Sequence, residues 1–187
     1  THGLKNRLNE CLARKDYEKG KSLVSTTYAI MFAIFVPLST ILIVVSPWID
    51  WCSILNVDPS NQEVILKTMQ VLFVFMALQM IVNVFVTIVA AYQKTALSSL
   101  FAVIGQVCSL CIIGMMTLFV KPSLLNLAFA YSLMPIVIVL VASIIYFKTS
   151  MKEVAPSIKS INTAYIKDLW GLGIKFFIIQ LQMIVLY

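Results

Sequence analysis

MQVLFVFMALQMIVNVFVTIVAA, residues 69–91, holds 23 consecutive residues without Asp, Glu, Lys, Arg or His, and its reading decides the fold. At a rise of roughly 1.5 Å per residue a helix of that length spans about 34 Å, enough to cross a hydrocarbon core about 30 Å thick. Three further stretches repeat the pattern: 24–45, 97–120 and 124–147 are equally uncharged and strongly apolar. All 23 ionisable residues of those five types fall in the connections or towards the two ends. With 60% hydrophobic and 12% charged residues and a mean hydropathy of +0.95, the chain stands far from the roughly 25% charged of a soluble domain. Backbone groups in lipid must be satisfied within their own segment, so spans this long are helices; barrel strands would be shorter and would alternate apolar with polar. The expected fold is all-α and polytopic.

The chain reads in four parts: a basic amphipathic segment at 1–23, four transmembrane helices at 24–147, a cytoplasmic linker at 148–171, and the start of a further apolar helix at 172–187. The absence of an initiator Met and the unfinished apolar run after Ile174 suggest a segment of a longer protein. Positive charge marks the cytoplasmic side of short connections. Twelve of the fourteen Lys and Arg residues lie before the first span, at Lys94, or after the fourth span. The opposite connections hold only Lys67 and Lys121, with Asp50, Asp58 and Glu63. Four crossings with both ends in the cytoplasm satisfy that alternation. The net charge of +6 follows from orientation and calls for no nucleic-acid partner; its physical consequence is attraction to anionic lipid.

Trp48 and Trp51 close the first span as interfacial indoles on the outer side, with Pro59 and Pro122 in the outer turns. The short connections 92–96 and 121–123 make spans two and three, and three and four, antiparallel neighbours. Leu4, Leu8, Cys11 and Leu12 form one apolar helical stripe, and Ile158, Ile161, Tyr165 and Leu169 a second ahead of Trp170. Each predicts a helix lying at the inner membrane surface or extending a neighbouring span.

Little here can do covalent chemistry. No Ser or Cys has a His and a carboxylate to activate it, and Gly171 and Gly173 are only two glycines at a helix entrance, so no enzyme and no cofactor are expected. Cys108 and Cys111 have C-x-x-C spacing but sit within an uncharged span, while the one histidine is His2; they read as small core residues and not a metal site. What remains is a set of amides at membrane depth: Gln79 and Asn83 in span two, Gln106 in span three, and Gln180 and Gln182 in the last run. Gln79 and Asn83, four apart, share a helix face, and an amide turned to lipid leaves hydrogen bonds unmade. They face protein as interhelical glue or line a watery cavity. Pro37 and Pro135, near the middles of spans one and four, each remove a backbone hydrogen bond, so both helices are expected to kink or hinge there.

The order of short motifs resembles a known family, the oligosaccharide-lipid flippases of the polysaccharide biosynthesis type within the multidrug/oligosaccharidyl-lipid/polysaccharide exporter superfamily. Gly3-Leu4-Lys5-Asn6-Arg7-Leu8 opens the series, followed by Asp16-Tyr17-Glu18-Lys19 and Val24-Ser25-Thr26. Trp48-Ile49-Asp50-Trp51, Leu55-Asn56-Val57 and Ala91-Tyr92-Gln93-Lys94 come next, then the run Lys167-Asp168-Leu169-Trp170-Gly171-Leu172-Gly173-Ile174-Lys175-Phe176-Phe177. The resemblance implies two six-helix lobes around a cavity open alternately to either side, with this chain supplying the third to sixth helices, the inter-lobe linker and the entry to the seventh. It further implies an inner-membrane transporter that moves undecaprenyl-diphosphate-linked sugar units for O-antigen, capsule or exopolysaccharide assembly, beside other assembly proteins of the membrane. Gln79, Asn83 and Gln106 would then meet sugar hydroxyls, and Lys94, Lys159 and Lys167 phosphate. The spans lack the Arg or Lys that a diphosphate cavity is expected to offer. The alternatives are a cation-coupled multidrug exporter of the same superfamily, which would want a carboxylate within a span, and a non-transporting membrane scaffold, in which the amides and prolines only pack.

Overall fold

The computed structural model describes residues 2–119 and 123–166. Among them the chain is helical and without strands, in the order α1 (His2–Ala13), α2 (Tyr17–Val45), α3 (Trp51–Leu55), α4 (Gln62–Ala91), α5 (Thr95–Phe119) and α6 (Leu124–Lys148). Four of these, α2, α4, α5 and α6, are long and apolar enough to cross a membrane. They carry their hydrophobicity outward: Phe32 is 60% uncovered, Ile41 58% and Leu110 70%, side chains that water would not tolerate in such number and that a bilayer solvates. The expectation of an all-α polytopic membrane protein holds.

Helices α2 and α4 begin well before their uncharged runs. α2 starts at Tyr17, seven residues before Val24, and α4 at Gln62, seven before Met69. Charge limits where a helix can enter hydrocarbon and not where it can be helical. Local caps set the starts: the Asp16 carboxylate accepts the Lys19 N–H at 3.2 Å, and Asp50 accepts that of Ser53 at 3.1 Å. The Asp58 carboxylate accepts the Ser60 N–H at 2.9 Å, which holds its pKa below the usual carboxylate value. Lys15, Asn56 and Gln93 close helices in the left-handed region at φ 57°, 52° and 59°.

The chain divides into two compact units. One comprises Thr1–Phe32, Asn83–Ser99 and Val141–Tyr187. Within its described residues the core gathers Leu4, Leu8 and Cys11 of α1, Leu23 and Val24 of α2, and Phe85, Ile88 and Val89 of α4, with Met151 and Val154 after α6, all buried. The α1 stripe therefore faces protein, not lipid. Gly20 makes the approach possible, since a Cβ there would lie 3.3 Å from both Leu8 and Val154. Phe85 meets Phe147 edge to face at 5.4 Å between ring centroids. Burial pushes the Cys11 thiol above its ordinary pKa, with Lys19 opposing in part.

The second predicted amphipathic helix is not found over its first half. A 3-10 turn covers Ile158–Ser160, Ser157 and Ile161 are extended, and helix resumes only at Ala164. Ile158 projects outward, so the period-of-four stripe is not a buried face. The reason is tertiary. Ser25 and Thr26 of α2, both buried, bind this segment's backbone: Ser157 N–H donates to Ser25 Oγ at 2.9 Å and Asn162 N–H to Thr26 Oγ1 at 3.1 Å. Thr26 Oγ1 in turn donates to the Asn162 carbonyl at 3.3 Å. Backbone groups engaged this way are not free for a helix. Leu169 and Trp170 lie outside the described residues, as do Gly171 and Gly173.

The other unit comprises Ala33–Val82 and Leu100–Leu140. Here α5 and α6 touch closely, and a Cβ at Gly105 would stand 2.9 Å from the Pro135 Cα. Phe75 and Phe129 join α4 to α6 edge to face at 5.3 Å. Trp51 does not sit at the interface as an open indole. Its Nε1–H donates to Ser46 at 3.0 Å, and its ring lies 6.0 Å from that of Phe73, whereas Trp48 is 79% uncovered.

Candidate functional site

The amides singled out in the sequence fall on two helices. Gln79 and Asn83 stand one turn apart on α4, both half-buried and both engaged with other groups. Gln106 is uncovered on α5. Its neighbour Gly105 turns toward Pro135, which puts Gln106, about 100° further round the helix, away from that contact. Gln180 and Gln182 lie outside the described residues. Of the basic candidates, Lys94 is exposed in the turn between α4 and α5, Lys159 is exposed on the segment after α6, and Lys167 lies outside the described residues. Cys108 is half-buried and Cys111 uncovered, both as free thiols. Among the described residues no group of three His, Cys, Asp or Glu is placed to hold a metal ion.

The two mid-span prolines differ in their surroundings. Pro37 in α2 is uncovered, and just beyond it the hydroxyls of Ser39 and Thr40 both donate to the Val36 carbonyl, at 3.0 and 2.9 Å. Such back-bonding bends helices. Pro135 is packed against Gly105 of α5. A proline at 135 has no N–H for the carbonyl four residues earlier, that of Tyr131. Ser109 of α5 supplies the substitute: its buried Oγ lies 3.3 Å from the Tyr131 carbonyl and 3.0 Å from its own Gly105 carbonyl, its single proton serving one or the other. In a bilayer a carbonyl freed by proline needs such a partner. Ser109 was not marked by the sequence pattern, because a serine in an apolar helix declares itself only when the carbonyl it faces is known.

A polar cleft of about 660 Å³ lies in the first unit. Tyr17, Glu18, Lys21 and Ser22 of α2 form one wall, and Glu153 with residues 159–162 the other. The Ser25 and Thr26 hydrogen bonds to Ser157 and Asn162 hold these walls together. Tyr92, within the same unit, has its phenol pKa raised by burial, with the Glu153 charge adding to the effect.

These features define the class: a polytopic α-helical membrane protein with uncharged spans, neutral amides at membrane depth and a charged cleft at one end of a span. Comparison with protein-family models, with curated proteins and with solved structures finds no match.

Proposed function

We propose that the protein is a transporter, and not an enzyme, that flips a polyprenyl-diphosphate-linked oligosaccharide across the bacterial inner membrane by alternating access, for polysaccharide export. The observation that carries this reading is the ordered series of short motifs running from Gly3-Leu4-Lys5 to the Lys167-Asp168-Leu169-Trp170 run, which resembles the oligosaccharide-lipid flippases along nearly the whole chain. The physical task fits what the spans contain. A sugar diphosphate cannot enter hydrocarbon without losing its hydrogen bonds, so it must travel in a polar, hydrated path. Gln79, Asn83 and Gln106 offer donors and acceptors to sugar hydroxyls without adding a charge to the membrane interior. Lys94, Lys159 and Lys167 would meet the diphosphate at the cytoplasmic surface, where both ends of the chain are assigned. Pro37, exposed on α2, is the better placed of the two prolines to let its helix flex; Pro135 is packed against α5.

The test is replacement of Gln79, Asn83 and Gln106 together by Leu or Ala, followed by assay of polysaccharide export in cells. Loss of export with normal membrane insertion supports the reading, and unchanged export refutes the role of these amides.

A further inference from the structure

The connection between α2 and α4 carries an apolar surface that the described residues leave open. On α2 the uncovered side chains of Leu38, Ile41 and Val45 share one helix face, and the next position in that series is Trp48, also uncovered, in the 3-10 turn that follows the helix. The outward apolar stripe of the span thus runs on past its last helical turn. Ile54 and Leu55 of α3 continue it, Ile54 being 65% uncovered. Asp50 is the one charged residue between Trp48 and Val57.

A tertiary contact fixes the level of α3. The ring of Trp51, its first residue, lies 6.0 Å from that of Phe73 on α4. Phe73 is four residues inside the uncharged run that opens at Met69, about 6 Å along a helix. α3 is therefore held back where α4 enters hydrocarbon and does not stand off in water. Viewed down its axis, Ile54 and Leu55 lie within about 60° of Trp51, whereas Ser53 points the opposite way. The backbone is closed as well. The Asp50 carboxylate accepts the Ser53 N–H, the Asn56 N–H is shared by the Cys52 and Ser53 carbonyls, and the Val57 N–H donates to Cys52 at 2.9 Å. Closure of this kind reduces the desolvation cost that keeps irregular backbone out of lipid.

We propose that the segment from Trp48 to Leu55 is a lipid-docking element, in which α3 lies in the plane of the membrane surface with Ile54 and Leu55 inserted among the acyl chains of the leaflet that α2 reaches at its C-terminal end. Continuity selects lipid over a protein partner: the patch begins as the outward face of a membrane span and reaches Ile54 without leaving that surface. An in-plane apolar face binds in proportion to the area it buries at the acyl boundary. The indole of Trp48 suits the headgroup level beside it. The inference requires only that the spans cross a bilayer and holds whatever the protein transports.

The experiment replaces Ser53, Ile54, Leu55 and Leu110 one at a time by the photo-crosslinking amino acid p-benzoylphenylalanine in the whole protein, reconstituted in vesicles of phosphatidylethanolamine and phosphatidylglycerol. After irradiation, mass spectrometry of the intact protein measures phospholipid adducts at each position. Leu110, uncovered on α5, sets the yield of full lipid contact. The expected yields at positions 54 and 55 match that at 110 and exceed that at 53 by about tenfold, the scale of moving one large apolar side chain from water to lipid. Adding Ile54→Asp to the protein labelled at 55 should lower its yield about tenfold, while the same substitution leaves the yield at 110 unchanged, which loss of the fold would not do. Yields at 54 and 55 no higher than at 53 overturn the proposal, as does a yield at 55 that Ile54→Asp leaves unaltered. Crosslinks from 54 and 55 to a second polypeptide in place of lipid overturn it too, by making the patch a protein interface.

Discussion

If Ser109 stands in for the N–H that Pro135 lacks, then the two residues must be energetically coupled. Ser109→Ala removes the donor and leaves the Tyr131 carbonyl without a partner in a helix interface. Interhelical hydrogen bonds in bilayers are worth about 0.6–2 kcal/mol, so the variant should lose about 1 kcal/mol. In a Pro135→Ala background the restored N–H of residue 135 can bond the Tyr131 carbonyl within α6, so removing the serine there should cost about 0.5 kcal/mol or less. In that background the single Ser109 proton turns to the Gly105 carbonyl of its own helix, and the loss of that bond is counted in the smaller cost. The four proteins of this double-mutant cycle would be compared by reversible unfolding in mixed detergent micelles. A coupling energy near zero, with Ser109→Ala costing the same in both backgrounds, would refute the reasoning.

Other outcomes follow from the same contacts. Gly105→Ala drives a Cβ to 2.9 Å from the Pro135 backbone and should cost about 1–3 kcal/mol, whereas Gly114→Ala, with nothing within 4 Å, should be neutral or slightly stabilising in the same assay. Replacing Ser25 by Ala and Thr26 by Val should free the segment after α6, read as faster amide exchange at Ser157 and Asn162 with unchanged exchange in α5. The Cys11 thiol, raised in the fold, should be alkylated more slowly than Cys111 in detergent, its rate rising at higher pH than that of an ordinary thiol. Because the folded pKa lies above the unfolded one, the fold retains its proton longer, and stability linked to Cys11 should fall as pH rises past about 8.5.

The four spans were legible because hydrocarbon excludes charge over about 20 residues of helix, and the run from Met69 to Ala91 carries none. The stripe of Leu4, Leu8 and Cys11 was legible as a helix, although its partner was not: period four says which face is apolar and not whether lipid or protein lies against it. The stripe at Ile158 and Ile161 misled because Ser25 and Thr26, more than 130 residues away, bond the backbone at Ser157 and Asn162 and leave only a 3-10 turn between them. The candidate site was legible in its residue types and not in its assembly. Amides at membrane depth stand out by contrast, whereas the cleft of Lys21, Glu18, Glu153 and Lys159 joins charges that look in sequence like two ordinary solvated connections.

Translocation itself is the most direct test of the transport reading. The full-length protein reconstituted into vesicles with a fluorescent polyprenyl-diphosphate oligosaccharide would be challenged with an impermeant quencher, counting the labelled heads that become accessible over time. The account predicts time-dependent redistribution of the label between leaflets, faster than in protein-free vesicles. Redistribution no faster than in protein-free vesicles would contradict it.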